Sequence, residues 1–138
     1  MLWLGYASSM HFTGISTKKP EIGRSGFFSV NKHMPTTVQA DAYQALVHYL
    51  RSIQTAKTFE SEAVMKTMKS LPLDDSSGST GYVRADGRVI RDLYLFEIKK
   101  PSQSRYQWDY YSVVSKIPLD TGYIAPSKSE CRLLRSTQ

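Results

Sequence analysis

The hydrophobic pattern changes its period along the chain. From Thr36 to about Ala56 the apolar residues Ala42, Ala45, Leu46, Tyr49, Leu50 and Ile53 recur at three and four residues, the spacing that gathers side chains onto one face of a helix. Gln44, His48, Arg51 and Gln54 fall mostly on the other side, so the apolar stripe is expected to face a core. Thr36 and Gln39 stand at capping-box spacing, with Pro35 just ahead of the first turn. A second, shorter helix is predicted after Thr58, its candidate cap. Glu60 and Glu62 suit the positive end of its dipole and Pro72 stops it. Val64, Met68 and Leu71 form its expected buried edge. Methionines at that spacing beside Val and Leu read as core filling rather than as an adaptable ligand surface.

Beyond Pro72 the period shortens. Residues 73–81 read as a loop by composition, and their acidic positions lack the alternation of a calcium loop, with Ala85 standing where a bidentate Glu belongs. Tyr82-Val83-Arg84 and Val89-Ile90-Arg91 flank Asp86-Gly87, which predicts a hairpin. Residues 93–98 are nearly continuously apolar, as in a strand covered on both faces, and Pro101 ends them. One more β-rich run, 110–114, closes at Pro118. Residues 1 to about 30, punctuated by Gly14, Pro20, Gly23 and Gly26, and the tail from Leu119 show no sustained period, so little regular structure is expected in either.

Composition bounds the size of the fold. A chain of 138 residues that is 41% hydrophobic can bury one modest core, so one compact unit is expected. The net charge of +6 invites a nucleic-acid partner. Its distribution does not: apart from Lys18-Lys19 and Lys99-Lys100, the basic residues alternate with acids such as Glu60, Glu62, Asp86 and Asp92, the pattern of a solvated surface. Tyr94, Phe96, Tyr110 and Tyr111 lie near basic residues as in a base-stacking sheet, yet Asp92, Glu97 and Asp109 interrupt the field. An RNA-binding sheet is therefore the weakest of the function classes considered, and no nucleic-acid partner is expected.

Reactive groups do not converge. His11, His33 and His48 have no metal-ligand spacing with one another or with Cys131, and each reads as an ordinary surface or helix residue. Gly78-Ser79-Thr80-Gly81 lacks the Lys of a phosphate loop, and Gly23-Arg24-Ser25-Gly26 is one residue short of a serine-hydrolase elbow. No enzyme, cofactor or metal is expected. A lone Cys131 excludes an internal disulfide. The first nine residues have no basic n-region and read as no export signal, and no apolar run reaches the roughly 20 residues of a membrane span, so no stable membrane insertion is expected.

Longer blocks carry a resemblance. The segment Asp86-Gly87-Arg88-Val89-Ile90-Arg91-Asp92-Leu93-Tyr94-Leu95-Phe96-Glu97-Ile98-Lys99-Lys100-Pro101, followed by Trp108-Asp109-Tyr110-Tyr111 and Ile117-Pro118, resembles the C-terminal region of leucine/branched-chain amino acid type substrate-binding proteins of ABC transporters. Phe27-Phe28, Met34-Pro35-Thr36, Val38-Gln39-Ala40, Tyr43 and His48-Tyr49-Leu50 resemble the helix before it. Val64-Met65-Lys66, Met68-Lys69 and Pro72 resemble the next helix. The likeness runs from about Phe27 to Leu134. It divides the chain into residues 1–26, irregular and without a family match, and residues 27–138, a C-terminal portion. Ser129-Glu130-Cys131 resembles the family's terminal Ser-Gly-Cys, with Glu130 in place of glycine.

The resemblance implies an α/β chain holding a C-terminal, incomplete fragment of a type I periplasmic binding protein fold: two helices, a β-hairpin and late strands. The whole fold has two α/β lobes that close on a small ligand and present it to an ABC permease. The implied function is a non-catalytic solute-binding component for amino acids or related amides, periplasmic, and unable to bind ligand as this fragment alone. In the family an aromatic near the start of the late helix approaches the cleft, which makes Tyr43 the first candidate ligand residue, followed by Gln39 and Asp41. A packed Tyr43 with a bonded hydroxyl is an equal reading. The alternative function is a small non-catalytic α/β interaction module derived from that fold. The fragment reading predicts exposed surfaces where the absent lobe would pack.

Overall fold

The computed structural model describes residues 2–6, 29–33, 35–74, 80–105, 109–119 and 121–135. In chain order its elements are β1 (Leu2–Tyr6), α1 (Thr37–Ala56), α2 (Ser61–Ser70), β2 (Leu73–Asp74), β3 (Thr80–Val83), β4 (Val89–Arg91), β5 (Leu93–Ile98), β6 (Tyr111–Ile117) and a short α3 (Arg132–Arg135). Single 3₁₀ turns lie at Pro101–Gln103 and Pro126–Lys128.

Local chemistry sets the helix ends. Thr36 is extended, its Oγ1 accepts from the Gln39 amide at 3.3 Å, and the Gln39 Oε1 accepts from the Thr36 amide at 2.8 Å. The expected capping box is thus formed, satisfying two amides that a helix N-terminus leaves open. At the other end Lys57 turns left-handed (φ 54°) and its amide donates to the Ile53 carbonyl. The second helix is capped by Glu60, not by Thr58. The Glu60 carboxylate takes the amides of Glu62 and Ala63 at 3.0 and 2.8 Å, whereas Thr58 Oγ1 accepts from the Glu60 amide just upstream. Two carboxylate oxygens satisfy two open amides where one hydroxyl serves one, and these amides hold the Glu60 carboxyl below its ordinary pKa.

The hairpin forms as expected. Val83 pairs with Val89 and Tyr82 with Ile90, and Gly87 turns the chain at φ 82°, where a side chain would be strained. Part of the segment expected to be a loop also pairs: Leu73 and Asp74 oppose Gly81 and Thr80, giving a sheet of order β2-β3-β4. A second sheet has order β1-β5-β6. Its β1 strand, in a region expected to hold little regular structure, runs antiparallel to β5 from Leu2 opposite Glu97 to Tyr6 opposite Leu93. A partner strand supplies these pairings, and composition carries no trace of it.

The central strand β5 is covered on both faces at its start. Leu93 and Phe96 point to opposite faces and are both buried, while Glu97 and Ile98 run out to solvent. Phe96 has Tyr94 and Tyr111 within ring-contact distance at 6.5 and 6.0 Å, so the aromatics build a core. Against β6 the register steps: Leu95 opposes Ser115 but Phe96 opposes Val113, which leaves Val114 as a β-bulge. Two ion pairs tie the connections. Lys116 Nζ meets Asp92, between β4 and β5, at 2.6 Å, and Lys99 Nζ meets Asp109 at 2.6 Å.

The helices pack with α1 on α2 and α2 on β3. The face of α1 turned inward is not the apolar stripe. Ala40, His48 and Ser52 are buried, whereas Val38 is 76% exposed, Leu46 56%, Tyr43 53%, Leu50 53% and Tyr49 43%. His48 and Ser52 go in because their polar groups find partners there, while Arg51 and Gln54 stay exposed. His48 Nε2 donates to the Met68 carbonyl at 2.9 Å, and Ser52 Oγ donates to the His48 carbonyl at 2.8 Å. On α2 the expected edge holds: Val64 is buried, with Met68 and Leu71 half-buried.

Candidate functional site

Between α1, α2 and the β3–β4 hairpin lies an open cavity of about 500 Å³, walled by Asp41, Gln44, Ala45 and His48 of α1, Met68 of α2, Leu73, Val83, Val89 and Arg91 of the sheet, and Tyr123 of the tail. Its position follows from spacing: Asp41, Gln44, Ala45 and His48 recur at three and four residues and so share one side of α1. Met68, Leu73, Val83 and Val89 make much of the wall apolar.

The polar part of the wall converges on Arg91. Its Nη1 donates to Gln44 Oε1 at 2.9 Å and lies 3.9 Å from the Asp41 carboxylate. Gln44 Nε2 is buried with no hydrogen-bond partner. Exchanging the two amide ends would set a donor against the guanidinium, so Arg91 fixes the orientation. The Tyr123 hydroxyl anchors the Arg91 backbone from the other side. This arrangement is suited to holding a small polar group beside an apolar body. Among the described residues no cluster of three or more His, Cys, Asp or Glu is placed to hold a metal.

The three residues singled out by resemblance do not come together. Asp41 reaches the cavity beside Arg91. Tyr43 projects from the opposite, outward face of α1 and is more than half exposed, so it does not pack in the core. Gln39 has its side-chain carbonyl committed to the cap of α1. His48, expected as an ordinary surface or helix residue, is a buried helix residue and bonds α2 to α1. Arg91, Gln44 and Tyr123 carry the cavity's polar wall without any motif to announce them. Arg91 sits in a hairpin strand read from its Asp86-Gly87 turn, and Tyr123 lies in a segment with no period at all.

A second tied site closes the turn after β5. Asp109 is buried, and its carboxylate accepts from Lys99 Nζ and from the Arg105 amide at 3.0 Å, which hold it below the ordinary carboxylate pKa. With its charge matched, the group is structural.

Comparison with known proteins agrees with this architecture. Residues 23–104 match the family described as periplasmic binding protein. A periplasmic binding protein from Burkholderia mallei superposes with a TM-score of 0.76 at 38% identity over 80% of this chain. A branched chain amino acid ABC transporter periplasmic ligand-binding protein from Burkholderia xenovorans does so with 0.75 at 32% over 80%. An amino acid ABC transporter substrate-binding protein from Pseudomonas fluorescens shares the fold, with 0.68 at 24% over 78%. This chain spans 29%, 30% and 28% of those three. No curated protein matches it.

Proposed function

The chain belongs to the periplasmic binding protein family and carries part of its type I fold, and from that premise we propose that it is the late portion of a solute-binding component of an ABC importer for branched-chain amino acids or related amides. The observation that carries the proposal is the superposition, at 38 and 32% identity, on binding proteins of which this chain spans 29 and 30%. The apolar face of α1, open to solvent along its length, supports the same reading, because a surface of that kind is normally covered in a complete lobe.

In this reading the ligand is captured by closure of two lobes in the periplasm and handed to a permease. Closure is favoured only by contacts that the open state lacks, so this portion by itself does not capture ligand. Tyr43 is the ligand-facing candidate here, since it is exposed near the start of α1. Asp41, which faces the cavity, and Gln39, which caps the helix, are secondary. No helix among the described residues is long and apolar enough to cross a membrane.

The test is calorimetric titration of leucine, isoleucine, valine and short amides into a chimera in which this chain replaces the matching part of the B. xenovorans receptor. Binding that weakens at least about tenfold, or about 1.4 kcal/mol, in the Tyr43→Ala chimera supports the proposal. A folded chimera that binds none of these compounds overturns it.

A further inference from the structure

The receptor reading uses the outward side of α1 and leaves the cavity on its inward side without a role. Apart from Tyr123, the residues that line this cavity all lie within residues 23–104, the stretch that matches the family. The apolar face that a complete lobe would cover, with Tyr43 on it, is on the other side of the helix, so the cavity lies away from the surface assigned to the rest of a receptor. Within the cavity Gln44 marks what is lacking. Its Oε1 is held by Arg91 Nη1 at 2.9 Å, which fixes the carboxamide and leaves Nε2, buried, as a donor with no acceptor among the described residues. A buried donor of that kind is costly to leave unmade, and an oxygen brought by a ligand satisfies it.

Charge and shape narrow the chemistry of that ligand. Arg88, Arg91 and Asp41 are the arginines and carboxylates of the wall, two guanidinium groups against one carboxylate, and the excess positive charge favours an anion. Met68, Leu73, Val83 and Val89 offer hydrocarbon to the rest of the molecule, and a volume of about 500 Å³ falls in the range of ~300–1,000 Å³ that takes small molecules. We propose that the cavity is a second binding site, for an aliphatic monocarboxylate: a carboxylate oxygen accepts from Gln44 Nε2 in the field of Arg88 and Arg91, and the alkyl chain lies on the four apolar residues. The site is separate from the cleft that two lobes would close beside Tyr43. The proposal rests on the cavity alone and stands if the receptor reading fails.

Titration of octanoate into the isotope-labelled 138-residue chain, followed by NMR, tests this. The expected result is saturable binding with a Kd below about 1 mM, with the side-chain amide pair of Gln44 among the shifted signals. Octanol, with the same alkyl chain and no charge, should bind at least about tenfold more weakly. Gln44→Glu keeps the oxygen that Arg91 holds, exchanges the donor for an acceptor and adds a negative charge; it should weaken octanoate at least about tenfold at the parent melting temperature. Ala45→Phe, at an exposed position on the wall, should fill the cavity and abolish binding, and provides a second disruption if Gln44→Glu alters the melt. Where the chain alone does not melt cooperatively, the same titration is run on the B. xenovorans chimera, which carries every wall residue, with and without saturating leucine. Absence of octanoate binding below about 1 mM overturns the proposal, as does binding indifferent to both substitutions, octanol binding as tightly as octanoate, or displacement of octanoate by leucine, which would place it in the cleft.

Discussion

The Tyr123 hydroxyl bridges the backbone of Arg91, accepting from its amide at 3.3 Å and donating to its carbonyl at 3.0 Å. Arg91 ends β4, an edge strand, and the phenol does there what a neighbouring strand would do. Tyr123→Phe is expected to cost about 1–2 kcal/mol, because both backbone groups lose a partner. Amide exchange at Arg91 should accelerate while that of the α1 interior does not, which chemical denaturation and hydrogen-exchange mass spectrometry can resolve.

Acid should loosen the hairpin. Asp86 accepts from Arg84 Nε and Nη2 at 3.0 and 2.7 Å, and this pairing, with the Arg88 amide, pulls its pKa from 3.8 to about 2. A carboxyl whose folded pKa is depressed stabilises the fold above its unfolded value, and that contribution disappears as the pH falls through the folded one. Urea midpoints should therefore drop between about pH 4 and about pH 2, and Asp86→Asn should flatten that drop while lowering the midpoint at neutral pH.

Two glycines fail for different reasons. At Gly87 a Cβ would meet nothing within 4 Å, but φ is 82°. Gly87→Ala should cost about 1–2 kcal/mol, all of it backbone strain. At Gly122 a Cβ would come within 2.5 Å of Leu93 Cδ1, a buried side chain with little room to yield. Gly122→Ala should cost about 1–3 kcal/mol through overpacking, and Leu93→Ala in the same chain should relieve part of that added cost. A thermal-melt double-mutant cycle separates the two cases.

Thr36→Ala removes the oxygen that accepts the Gln39 amide and is expected to destabilise the chain by about 1 kcal/mol. The Thr36 amide keeps its own bond to Gln39 Oε1. Gln39→Ala should accordingly cost less than Thr36→Ala in the same melts, with the pair less than additive because the two side chains share one box.

Both helices, the hairpin and β5 were legible in the sequence because their signals are local: a cap three residues from its partner, a turn at Asp86-Gly87, a run of apolar residues. What escaped depends on distant chain. Leu2–Tyr6 and Leu73–Asp74 are strands because β5 and β3 lie beside them. Periodicity drew the apolar stripe of α1 yet could not say that it turns outward; His48 and Ser52 go in because Met68 and the helix's own backbone accept their hydrogen bonds, while Arg51 and Gln54 stay exposed. The same holds at the candidate site. Tyr43 and Asp41 are two residues apart and were read together, but a helix turns about 200° over that interval and sends them to opposite sides.

The bulge at Val114 decides how this protein tolerates insertions and deletions. Upstream of it, Tyr111 and Val113 share a sheet face with Phe96 and Ile98; downstream, Ser115 and Ile117 share the other with Leu95 and Leu93. Loss of Val114 itself would leave a regular ladder, with Val113 still opposite Phe96 and Tyr111 still beside it. Loss of Ser112, which is paired, would carry Tyr111 to the far side of the sheet and remove an aromatic contact from the core.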